Sequence, residues 1–281
     1  MTQALDLAYA VALIVTLWAT AVGSGLAHRP SEILAAAARR RRFALILMLD
    51  AVAIPLLVYV LARVANVPED YLVGLVLVGA ASAGAIGLTV VRIADAAMPL
   101  AIGLVVVLET GNLVTIPVWS SILLSDQARP PLGDVITTLV LGVLVPLAVG
   151  AGLQVLRPAR AQGWARVLAR VSTVGFVIAV AIIVGRDLGD LAEAWSARVP
   201  LIALATVIAA LGAGWVVGGP ERASRATAGL ITSVRANTPA LAVASATYGA
   251  SSDAAVAIVV FALVSFIVTP FVALWLKRTA R

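Results

Sequence analysis

Apolar positions fall into nine stretches near the ~20 residues that a membrane-crossing helix requires. They run over roughly 5–27, 43–65, 71–91, 97–123, 134–156, 168–186, 199–219, 227–248 and 254–276. Short polar loops separate them, and no soluble domain or long linker interrupts the series. The pattern predicts an all-α polytopic membrane protein. Two stretches are irregular. The third passes into a run of small residues, Ala80 to Gly87, then regains bulk and leaves at Arg92–Asp95. The eighth carries Thr232, Ser233, Arg235, Asn237 and Thr238 at similar depth, just before Pro239. Such interruptions predict discontinuous helices, because backbone freed from helical bonding is tolerated in a membrane only where protein buries it or a cavity receives it.

Composition agrees with the pattern. The chain is 62% apolar and 12% charged, with a mean hydropathy of +1.07, more than a soluble domain can bury. The absence of cysteine excludes disulfides and thiolate metal sites, and a single histidine, His28 at a membrane edge, excludes a histidine-based centre. No metal or cofactor is expected. The first stretch has no basic region before it and is long for a signal core, so it reads as a retained span.

The net charge of +6 does not signal nucleic acid, because the arginines lie in the short loops between spans. One set of alternate loops holds Arg29 and Arg39–Arg42, Arg92, Arg157, Arg160, Arg166, Arg170, Arg222 and Arg225, with Lys277, Arg278 and Arg281 at the end. That is 15 of the 20 basic residues. The opposite loops hold Arg63, Arg129, Arg186 and Arg198 and most of the acids. The arginine-rich side is expected to be cytoplasmic, which puts the N-terminus outside and the C-terminus inside. The Arg39–Arg42 run also suits anionic lipid headgroups. One lysine against nineteen arginines, amid abundant alanine and valine, points to a GC-rich bacterium and its inner membrane. In this orientation the two irregular stretches cross in opposite directions, and the spans after them end alike, at Thr115-Ile116-Pro117 and Thr269-Pro270. The chain, 1–281, is thus expected to be one transmembrane unit of two inverted repeats, 1–124 with four spans and 134–281 with five.

This order of features resembles the bile acid:sodium symporter family. The resemblance is strongest from Leu45 to Pro117, through Pro55, Asn66-Val67-Pro68 and Gly74-Leu75-Val76-Leu77-Val78-Gly79, and again from Ile231 to Ala242, where Asn237 and Leu241-Ala242 match. It implies a panel domain against a core domain, two broken helices crossing at mid-membrane, and transport of an organic anion. It also implies a crossing-site or substrate role for Asn237. The departures matter. The family's sodium-coordinating Ser and Asn fall on Gly87 and Leu88, and its Ser and Thr on the next span fall on Ala101 and Val105. Its glutamate at the second crossing falls on Thr232, and a Gln falls on Ala236. Sodium needs several hard oxygen ligands. The resemblance therefore carries over the fold and the anion but not sodium coupling.

Three ionisable residues lie inside spans: Asp50, Glu109 and Arg235. Each is expensive there by a few kcal/mol and so is a functional candidate. Glu109 follows Val105 by one helical turn, with Asn112 on the same stripe. With two acids for one base, Glu109 is expected to pair with Arg235, and Asp50 to hold an exchangeable proton. Arg235, Asn237, Thr232, Thr238, Ser82 and Asn112 are the candidate substrate contacts, and Asp50 and Glu109 the candidate ion or proton sites. The competing readings are a structural ion pair for the charges and, for the chain, a non-transporting scaffold or sensor. An enzyme is not expected, since no nucleophile–base pair or phosphate loop appears.

Overall fold

The structure, a computed structural model, describes residues 2–27, 40–84, 86–186 and 188–279. His28, Arg29, Arg39 and Arg281, used in the sequence argument, lie outside the described residues. Helix α1 is Thr2–Ala27. Helix α2 joins Arg40–Met48, a π-helical turn at Leu49–Ala53, and Ile54–Val64. Next come α3 (Glu69–Ala80), α4 (Ile86–Ile93) and α5 (Met98–Leu123). Helix α6 joins Leu132–Leu139, a second π-helical turn at Val140–Leu144, and Val145–Leu156. Then follow α7 (Pro158–Arg186), the short α8 (Leu188–Ser196), α9 (Val199–Val217), α10 (Arg222–Ser233), α11 (Asn237–Tyr248) and α12 (Asp253–Arg278).

Among the described residues seven helices are long and apolar enough to cross a membrane: α1, α2, α5, α6, α7, α9 and α12. The two irregular stretches are pairs of half-helices, α3 with α4 and α10 with α11. Both π-helical turns have one cause. Pro55 and Pro146 stand just after them, and a proline cannot donate to the carbonyl four residues back, while its ring crowds that carbonyl. At Pro55 the released carbonyl is that of Ala51, and Trp119 Nε1 donates to it at 2.6 Å. The basic stretch 158–167, outside the expected spans, simply continues α7 as helix.

The helices pack in two groups. Helices α1, α6 and α7 lie against one another, and α2, α3, α5, α9, α10 and α12 form the larger group. In the first, a Cβ on Gly150 would stand 2.2 Å from the Val22 carbonyl oxygen, so α1 and α6 touch backbone to backbone. In the second, α3 is buried from Tyr71 through Ala80. Its apolar surface is continuous because helices surround it. Here a Cβ on Gly74 would lie 2.2 Å from the backbone oxygen of Ala254 in α12. Gly74→Ala is therefore expected to lower stability by about 1–3 kcal/mol through forced separation of α3 and α12. Gly111→Ala, where nothing stands within 4 Å, should leave it unchanged. Thermal unfolding of the two variants in the same detergent checks the difference.

The helix ends separate the arginines. At one end Arg222 donates to the Leu276 and Thr279 carbonyls, and Arg42 lies against Gly219. At the other, Arg63 pairs with Glu69, Arg186 with Asp6, and Arg198 donates to the Ala65 carbonyl.

Candidate functional site

The two broken helices meet at their breaks. Helix α3 ends at Ala80, where the small residues that follow let another backbone approach closely. Ser82 faces Arg235 as an antiparallel β-bridge, and the Ala236 N–H donates to the Ala81 carbonyl at 2.9 Å. Each unwound segment thus supplies hydrogen-bonding partners for the other, as a buried non-helical backbone requires. Asn112 of α5 completes the arrangement. Its Oδ1 accepts the Ser82 N–H at 2.8 Å, and its Nδ2 donates to the Ser82 carbonyl at 3.0 Å. Expected among the substrate contacts, the Asn112 amide is committed to holding the first break open.

Arg235 is 2% exposed and sits between the C-terminal ends of α3 and α10. Its Nη1 donates to the Gly79 carbonyl at 3.2 Å, and its Nη2 to the Thr232 carbonyl at 2.6 Å. Both carbonyls belong to the last turns of their half-helices, where no helical N–H reaches them and the dipole is negative. The same Nη2 pairs with Oδ1 of Asp50, which is fully buried.

This pairing corrects the expectation that Glu109 would meet Arg235 and leave Asp50 to titrate. The partner is Asp50, for two reasons. The described part of α2 begins at Arg40, ahead of the expected 43, so Asp50 lies deeper in the helix than the seven residues from its end that the span boundary implied. It also lies inside the π-helical turn, whose extra residue rotates the helix face, by ~100° per residue. Glu109 is buried on α5, at 8% exposure, three residues before Asn112.

The remaining candidates divide. Thr232 donates its hydroxyl to the Ala228 carbonyl one turn back, so it contributes its own carbonyl and not its side chain. Ser82 Oγ lies 3.5 Å from the Asp50 carbonyl oxygen, at the limit of a hydrogen bond. Thr238 is half-buried in the first turn of α11. Asn237, the first residue of α11, is 4% exposed, and neither its Oδ1 nor its Nδ2 has a hydrogen-bond partner. Gly84, just before α4, lies against Ala236, just before α11, where a Cβ would be 3.4 Å from the Ala236 Cα. The N-terminal ends of both half-helices, where the helix dipole is positive, therefore adjoin. Sequence reasoning missed the roles of Trp119 and Gly79; Pro55 was the legible sign of the first.

The chain belongs to the Sodium Bile acid symporter family, whose sequence profile matches residues 11–194. The matched region includes Asp50, the first break with Ser82, Glu109 and Asn112, and ends before Arg235 and Asn237. Members of the family are transporters, and this one is a multi-pass membrane protein. No curated protein matches the chain.

Proposed function

We propose that the protein is a secondary transporter of a small organic anion, working by alternating access between the α1–α6–α7 group and the larger group, and not an enzyme. The observation that carries this is the unpartnered amide of Asn237 beside the adjoining N-terminal ends of α4 and α11. A buried polar side chain without partners is costly unless a ligand supplies them. Helix N-termini attract anions. The anionic group is placed there, against Asn237 and Thr238, and the apolar part of the substrate between the two groups of helices. Ser82 borders this seat through its backbone.

The transport is proposed to run without sodium, since Gly87, Leu88, Ala101, Val105 and Ala236 offer no side-chain oxygen. Proton coupling is assigned to Glu109, a carboxylic acid buried inside the membrane-crossing helix α5. The repeats are taken as 1–124 and 134–281 with opposite topology, in a bacterial inner membrane, N-terminus outside and C-terminus inside, with anionic lipid at the arginine-rich face. Uptake of a panel of labelled organic anions into proteoliposomes, with sodium and pH gradients imposed separately, tests this. Replacing sodium by potassium should leave uptake unchanged, Asn237→Ala should weaken the apparent affinity on the order of tenfold or more, and Glu109→Gln should remove the response to pH. Saturable, sodium-specific stimulation would remove sodium independence. Failure to move any organic anion would favour the scaffold or sensor.

A further inference from the structure

Arg235 is not placed as a residue waiting for an anion. Its guanidinium lies where the C-terminal ends of two half-helices converge, against the Gly79 and Thr232 carbonyls and the Asp50 carboxylate. Unwound carbonyls and half-helix C-termini of broken membrane helices are places that hold cations. Here the three acceptors of the guanidinium are oxygens that a cation would take, and they come from separate helices, α2, α3 and α10. Asp50 Oδ2 and Arg235 Nε have no partners, so the contact is not a fully interlocked fork; the guanidinium occupies the seat through its Nη atoms.

We infer that the guanidinium of Arg235 is a resident cation, holding a monovalent-cation seat that α2, α3 and α10 build from two carbonyls and a carboxylate. Because the cation is part of the chain, it cannot leave with the substrate, and the seat contributes no exchangeable ion to transport. Removing the side chain converts the seat into a site for a free cation. The inference rests on the transporter reading for its consequence but not for its test.

The test is thermal unfolding of purified wild type and of Arg235→Ala, titrated with guanidinium, sodium and potassium chlorides at millimolar concentrations, with choline chloride as the ionic-strength control. Wild type should show the same midpoint in all four salts. Arg235→Ala should unfold on the order of 10 °C lower in choline, and should be restored saturably by guanidinium or by one of the metal ions. Adding Asp50→Asn should abolish that restoration. The inference is overturned if Arg235→Ala is lowered but no cation restores it, or if wild type is itself stabilised saturably by sodium. It is equally overturned if Arg235→Ala cannot be extracted folded with any of these cations present, since a cation-accepting seat would be filled. The readout is binding alone. A variant that takes up cations in a protein that moves no organic anion refutes the transport reading and leaves this one standing.

Discussion

Asp50→Asn is expected to lower the unfolding midpoint on the order of 10 °C, more than any other single change of similar shape in the crossing. Asparagine fills the volume of the carboxylate, so no cavity forms and the effect is electrostatic. Arg235 keeps its bonds to Gly79 and Thr232 but loses the Asp50 carboxylate, at a position 2% exposed. Removing one member of a buried pair typically costs about 3–5 kcal/mol, because the other charge stays buried and uncompensated. The double variant Asp50→Asn, Arg235→Gln removes both charges and should recover most of the midpoint. Thermal unfolding of the two variants in one detergent decides it. A midpoint for Asp50→Asn within about 2 °C of wild type, against the shift expected for a broken buried pair, would mean that the pair does not hold the crossing.

Asn112→Ala is expected to loosen the first break without removing any charge. One side chain satisfies both the N–H and the carbonyl of Ser82 at 1% exposure, and alanine leaves both unmade. Each buried backbone group without a partner costs about 1–3 kcal/mol. Opening of the segment around Ser82 should therefore become easier, and its amide exchange on the order of 100-fold faster or more. Hydrogen exchange resolved on a peptide spanning 79–85 reads this directly. Unchanged protection there, with the protein otherwise folded, would show that the bridge to Arg235 holds the break by itself. Asn112→Asp separates the two contacts, since it can still accept from the Ser82 N–H but can no longer donate to the Ser82 carbonyl.

The helical class, the approximate positions of the spans and the two breaks were legible in the sequence for one reason. In lipid every backbone polar group must be satisfied internally, so long apolar stretches mark helices, and a run such as Ala80–Gly87 marks a place where helix cannot be assumed. Arg235 was legible as a special residue because a charge in a span is costly wherever it points. The family resemblance added the crossing of the two breaks, and the profile match over 11–194 gives the family itself.

Which groups meet was decided by tertiary structure. Linear spacing placed Glu109 and Asn112 on one stripe, and depth counted from the span ends placed Asp50 inside its span but farther from mid-membrane than Glu109. Both estimates assume a regular helix. Pro55 widens α2 into a π-helical turn at Leu49–Ala53, which changes the face on which Asp50 emerges, and α2 is already helical at Arg40, which places Asp50 deeper. Asn112 was visible as a polar residue in a span, yet its partner is the backbone of Ser82, thirty residues away, and backbone groups carry no sequence signature. The sequence by itself determined where helix would fail and which residues were too polar for lipid, since lipid penalises both regardless of neighbours. Only the fold decided that two carbonyls and a carboxylate from three helices converge on one guanidinium, because such a seat exists only when the half-helices are brought end to end.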